Sequence, residues 1–222
     1  MAIALPPGMQ SHVPLTLSVR QRGFSLIELM MVIAIIGVLA AVAIPMSNNS
    51  VRYIKVSGDA RDIANAIAVT KMKAAAQFTQ ARLFVDLTAR TYYIQRFTKT
   101  ATTQCPTVGA WCTEAGTNSL ASTVSFGYGS FSAAPLNTQT TIQQASSCIN
   151  TATPPVAVAN TACIIFNSRG LPIADITNGG PTNDDAIYVT DGTSVFGVTV
   201  AATGFIRTWQ GNRFATPPWA LK

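Results

Sequence analysis

From Phe24 to Ile44 the chain carries twenty-one residues of apolar character broken by one ionisable group, Glu28. As a helix rising ~1.5 Å per residue, such a run measures about 30 Å, the thickness of a bilayer's hydrocarbon core. A lone carboxylate inside it is expensive, about 2.5–3.5 kcal/mol at mid-bilayer, so Glu28 is expected to have a partner. Arg20, Arg22 and the small residue Gly23 precede the run, and Pro45 and the polar Ser47-Asn48-Asn49-Ser50 follow it. A secretory signal peptide has a shorter apolar core, no acid within it and an Ala-x-Ala-like site after it. A plain signal anchor explains the length but neither Gly23-Phe24 nor Glu28.

The segment Gly23-Phe-Ser-Leu-Ile-Glu-Leu29 with its apolar continuation resembles the N-terminal motif of type IV pilins and type II secretion pseudopilins. The resemblance implies processing at named positions. A prepilin peptidase would cleave between Gly23 and Phe24, removing residues 1–23, and the new amine of Phe24 would be N-methylated. Translation from Met9 instead of Met1 would give a shorter leader; both starts stay open. The resemblance also gives Glu28 its partner: the Phe24 amine of a neighbouring subunit. A buried ion pair stabilises only with both members present, so this one would set axial register during assembly.

Beyond Pro45 the chain is long enough for one globular domain with a real core, and not clearly for two. Only 11% of all residues are charged, which fits an exported β-rich domain better than a cytosolic enzyme. Between Ser47 and Thr100 nine cations (Arg52, Lys55, Arg61, Lys71, Lys73, Arg82, Arg90, Arg96, Lys99) face three acids (Asp59, Asp62, Asp86), a net of +6. From Ala101 onward four cations meet five acids, a net of −1. The basic flank is either a solvated face or a surface for an anionic partner such as DNA, headgroups or an acidic subunit. The four cysteines, Cys105, Cys112, Cys148 and Cys163, suit disulfides in an exported domain. Of the three pairings, Cys105–Cys112 with Cys148–Cys163 is preferred because each closes a short loop. A zinc site lacks CxxC spacing and any nearby histidine.

The expected fold class is α+β. Residues 24–45 form a membrane or filament-core helix, kinked at Pro45, with an amphipathic continuation over 46–80. Its apolar stripe, Val56, Ala60, Ile63, Ile67, Ala74 and Phe78, recurs at helical spacing and should pack on a sheet. Residues 81–222 form an antiparallel β domain. Its strands are expected at Arg82–Leu87 and Thr91–Phe97 (a hairpin), near Val124–Tyr128, at Cys163–Phe166, and as a meander over Ala186–Thr190, Val195–Val200 and Gly204–Trp209. Residues 100–160 read as an irregular insertion.

This order, with Phe166-x-x-x-Gly170-x-Pro172 and Gly204-Phe-Ile-Arg207, resembles the H-type pseudopilin/T-type fimbrial minor pilin family (GspH/FimT). The resemblance implies a minor pilin or pseudopilin held in the inner membrane by a single pass, with its C-terminal domain periplasmic. Its implied partners are other pilin or pseudopilin subunits through the N-terminal helix, prepilin peptidase, an inner-membrane assembly platform and membrane lipid. Whether the machine is a type IV pilus or a type II secretion system stays open, because both use this N-terminus.

The one histidine, His12, lies in the leader, which removes Ser-His-Asp and Cys-His catalysis from the mature chain. No GxGxxG, P-loop or HExxH motif is present, so neither an enzyme nor a cofactor is expected. Asp175, Asn183, Asp184, Asp185 and Asp191 cluster near turns; turn chemistry accounts for them more cheaply than calcium. In the C-terminal tail, Phe205, Arg207, Trp209, Arg213, Phe214, Trp219 and Lys222 interleave rings with cations, and Gly211-Asn212 and Pro217-Pro218 oppose regular structure there. Arg207, Arg213 and Lys222, with Lys71 or Lys73, are the candidate contacts for DNA as a further partner. The competing reading makes Phe205 and Trp209 strand core.

Overall fold

The structure, a computed structural model, describes residues 23–114, 116–174, 179–183, 185–212 and 214–222, without the side chains of residues 42 and 44–49. The chain divides into two compact units, Met1–Pro45 and Met46–Lys222. Helix α1 (Leu26–Ala76) begins in the first and ends in the second, and its backbone is helical on both sides of Pro45.

In the second unit α1 buries one stripe completely: Val56, Ala60, Ile63, Ile67, Thr70 and Ala74. These positions alternate by four and three residues, the repeat that keeps one face of a helix on a core. Thr70 tolerates burial because its hydroxyl donates to the Ala66 carbonyl at 2.7 Å. Phe78, the last residue expected in the stripe, is instead 77% exposed. The helix has already ended. Phe78 takes a left-handed φ of 50°, while Phe78 N–H donates to Ala75 O (3.3 Å) and Thr79 N–H to Ala74 O (3.2 Å). That is a Schellman cap with phenylalanine where glycine is usual.

The β domain holds two antiparallel sheets where one was expected. The first contains β1 (Ala81–Asp86), β2 (Thr91–Phe97), β3 (Trp111–Thr113), β4 (Asn118–Ser119), β6 (Thr161–Phe166) and β7 (Pro172–Ile173). Its order is β3-β2-β1-β6-β7, with β4 also on β2. The second contains β5 (Ser125–Phe126), β8 (Asp185–Thr190), β9 (Val195–Val200), β10 (Ile206–Gly211) and β11 (Trp219–Leu221), in the order β11-β10-β9-β8-β5. The hairpin β1–β2 and the meander β8–β9–β10 form as the alternation predicts. Residues 100–160 supply three short strands, β3, β4 and β5, where one was expected, and β6 and β7 follow before the meander.

A shared core joins the α1 stripe to Leu83, Val85, Ile164 and Phe166 of the first sheet and to Ile187, Val189, Phe196 and Val198 of the second. Each sheet also buries its other face. Phe131, Tyr188, Trp209 and Trp219 pack on the second; Cys148, Cys163, Ile165 and Ile173 pack on the first. The 100–160 region therefore has a structural use: it covers faces that an antiparallel sheet otherwise exposes. Disulfides join Cys105 to Cys112 and Cys148 to Cys163.

The tail is more regular than its composition suggests. Asn212 N–H donates to Pro218 O (2.7 Å) and Phe214 N–H to Asn212 Oδ1 (3.0 Å), so both prolines sit in the reversing loop. Trp219 then pairs with Gly211 and Leu221 with Trp209.

Candidate functional site

In the N-terminal unit, Ser25 caps α1. Its hydroxyl accepts from Glu28 N–H (3.2 Å), and its carbonyl accepts from Leu29 N–H (3.1 Å). Ser25 and Glu28 thus hold the two side-chain positions of a capping box, and the carboxylate lies in the first turn, where the helix dipole favours negative charge. Around it the apolar side chains are unpartnered: Phe24 is 82% exposed and Leu26 76%, and Met31, Ala34, Ile35, Val38 and Leu39 line an apolar groove. Among the described residues, no helix is long and apolar enough to cross a membrane. The run Phe24–Ile44 includes Val42 and Ile44, whose side chains lie outside that description.

The structure separates the cations proposed for DNA. Lys71 Nζ donates to Gly204 O at 2.8 Å, and its stem runs against Gly170 and Gly204. A β-carbon at Gly170 would lie 3.0 Å from Lys71 Cε, and one at Gly204 would lie 2.5 Å from Gly170 O. The two glycines of the motifs read above therefore border one half-buried lysine, and Lys71 serves the fold. Lys73 is paired with Glu114 at 2.6 Å. Arg207 is exposed, its guanidinium 5.3 Å from the Phe205 ring centroid. Two residues on, Trp209 is buried and donates from Nε1 to Thr199 Oγ1 (2.8 Å). Lys222 N–H donates to Thr208 O (2.9 Å), which extends the β10–β11 ladder by one rung. Strand parity then puts Lys222 with Thr208, on the face opposite Arg207. Arg213 lies outside the described residues.

The acidic turn cluster is dispersed in the same way. Asp191 accepts from Thr193 N–H (2.9 Å) and Ser194 N–H (2.7 Å) and pairs with Arg52 (3.6 Å). Asn183 Oδ1 accepts from Ala202 N–H (3.2 Å), and Asp185 accepts from the Thr182 hydroxyl (2.6 Å). Asp175 and Asp184 lie outside the described residues. Among the described residues no group of three or more His, Cys, Asp or Glu side chains could hold a metal ion.

Two buried charges were not foreseen, because both depend on segments distant in sequence. Arg82, 4% exposed, lies 4.2 Å from the Trp111 ring centroid and donates to Gln95 Oε1 (2.8 Å) and Ile149 O (2.7 Å). Burial pulls its pKa down to about 10, and proximity to Tyr93 opposes that shift. Glu114 gathers Lys73, Arg96 (2.7 Å) and Gln77 (2.9 Å). Burial pushes its carboxyl up, but the hydrogen bonds from Lys73 and Gln77 and the charges of Lys73 and Arg96 outweigh it, and the net shift is downward.

With this geometry in view, residues 19–44 match the family model described as the prokaryotic N-terminal methylation motif. Type IV major fimbrial proteins FimA of Dichelobacter nodosus are 60% identical over 37 residues, which is 17% of this chain and 23–24% of theirs. The chain thus spans about a quarter of the length of the curated relatives it matches. No solved structure matches. Over the matched segment, with its capped helix, single acid and exposed apolar side chains, the chain carries the prokaryotic N-terminal methylation motif and is similar to type IV fimbrial proteins.

Proposed function

We propose that the chain is a minor pilin or pseudopilin of the GspH/FimT kind, a structural subunit rather than an enzyme. One observation carries the reading: Glu28 is the sole ionisable side chain on a helix segment whose described apolar side chains are solvent-exposed in the isolated chain. Such a surface is costly in water and finds its use among like helices or in lipid. Prepilin peptidase cleaves between Gly23 and Phe24, and the Phe24 amine is N-methylated. The processed chain waits in the inner membrane with its β domain in the periplasm. It then enters a filament through an assembly platform, with Glu28 meeting the Phe24 amine of its neighbour. The Phe166–Pro172 and Gly204–Arg207 motifs, joined through Lys71, support the subfamily.

Mass spectrometry of the recovered chain should find N-methyl-Phe24 at its N-terminus. Glu28→Ala should leave processing intact and remove the chain from the sheared filament fraction; normal incorporation of that variant refutes the register role.

A second reading adds DNA uptake. The exposed Arg207 beside a 58%-exposed Phe205, with a 98%-exposed Phe214 in the tail loop, favours it. The surface is then the Arg207 side of the second sheet, and not a patch shared with Lys71, Lys73 or Lys222. Retention of duplex DNA that falls with salt and is lost in Arg207→Ala supports this role; salt-independent retention, or none, removes it.

A further inference from the structure

On the α1 flank that carries Asp62, a groove of about 390 Å³ opens between the helix and strands β2 and β4. Its floor is apolar, made by Ala66, Val69 and Ile94, and its polar wall is Asp62, Asn65 and Asn118. Asp59, one turn earlier, faces inward and accepts from Ala121 N–H at 3.0 Å. Neither carboxylate forms an ion pair among the described residues, although nine cations lie between Ser47 and Thr100. The groove also receives Tyr92, a residue only 5% exposed. Its hydroxyl makes no hydrogen bond among the described residues and keeps access to solvent, so it is free to bond an incoming group. Burial, then Asp62 and Asp59, raise the Tyr92 pKa to about 12, so at neutral pH the phenol keeps its proton and offers both a donor and an acceptor.

We propose that this groove receives an arginine or lysine side chain from a neighbouring protein subunit. The stem lies on Ala66, Val69 and Ile94; the charged head sits between Asp62, Asn65 and the Tyr92 hydroxyl, with Asp59 adding negative potential. The apolar floor decides the class of occupant. It suits the methylenes of a long cationic side chain and contributes nothing to a bare ion. A hard cation such as calcium needs six to eight oxygens, and Asp59 already spends an oxygen on Ala121. The proposal rests on the reading that the chain assembles with other subunits, and it adds a contact made by the β domain.

The test uses the full chain in its producing bacterium, with a photoreactive residue in place of Asn65 and a control at exposed Ala89. The filament fraction is collected before cross-links are mapped. Asn65 should cross-link to a pilin-like subunit, at a peptide containing arginine or lysine. Asp62→Asn should lower the yield about fivefold, as loss of a ~1 kcal/mol ion pair implies. Tyr92→Phe should lower it too, and Asp62→Glu should retain it. Equal yields at Asn65 and Ala89, or a yield indifferent to Asp62→Asn, overturn the proposal. So does a calcium-induced thermal stabilisation of the detergent-solubilised chain that Asp62→Asn abolishes, since the occupant is then an ion. Absence of the unsubstituted chain from filaments refutes the assembly reading instead, and the two failures are read separately.

Discussion

Gly204→Ala should destabilise the β domain far more than Gly192→Ala, although both glycines sit in loops flanking β9 with left-handed φ angles of 74° and 88°. A left-handed conformation costs an L-residue about 1–2 kcal/mol, offset in part by the lower entropy of the unfolded alanine chain. At Gly192 that is the whole effect, because an added β-carbon meets nothing within 4 Å; the net cost is about 1 kcal/mol. At Gly204 the same β-carbon would stand 2.5 Å from Gly170 O and 3.0 Å from Lys71 Nζ. The obstacle on one side is backbone, so the loops must part and the Lys71–Gly204 hydrogen bond is lost. A bond from a charged donor contributes about 1.5–3 kcal/mol, which brings the total to about 3 kcal/mol.

Urea unfolding of the full chain in detergent, followed by tryptophan fluorescence, reads this directly, because Trp111, Trp209 and Trp219 all lie in the β domain. With a slope of about 2 kcal/mol/M, Gly192→Ala should move the midpoint by about 0.5 M and Gly204→Ala by about 1.5 M. Lys71→Met keeps the stem and removes the ammonium group. It should be costly alone and nearly silent on top of Gly204→Ala, since interacting sites are non-additive. Equal midpoints for the two alanine variants would show that Lys71 does not latch the loops.

Phe78→Gly should stabilise the domain by about 1 kcal/mol, because the helix cap demands a left-handed residue and the ring it replaces is solvent-exposed; an unchanged or lower urea midpoint refutes the cap assignment. Glu114 has a lowered pKa in the folded chain. Its contribution to stability is therefore complete above the unfolded carboxylate value, about 4.3, and is lost as pH falls through the lower folded value. Glu114→Gln should flatten that acid limb of the stability profile, and a limb left unchanged in slope refutes the linkage.

What the sequence disclosed follows the range of the forces involved. The processing motif and the α1 stripe are local patterns, so Val56, Ala60, Ile63, Ile67 and Ala74 were legible from spacing alone. Phe78 fits that spacing equally well; only the hydrogen bonds to Ala74 and Ala75 end the helix before it. Division into two sheets was illegible because strand membership is set by distant partners: β6 returns to β1, and β5 pairs with β8. Charge shows the same limit with more consequence for function. Counting along the chain makes residues 47–100 a strongly basic flank. Folding commits Lys71 to Gly204, Lys73 and Arg96 to Glu114, Arg82 to Trp111 and Ile149, and Arg52 to Asp191. Meanwhile Asp59 and Asp62 form no ion pair among the described residues. A segment that reads as a cationic surface for an anionic partner thus presents, beside α1, a groove whose charges are negative, and the partner to seek there is basic.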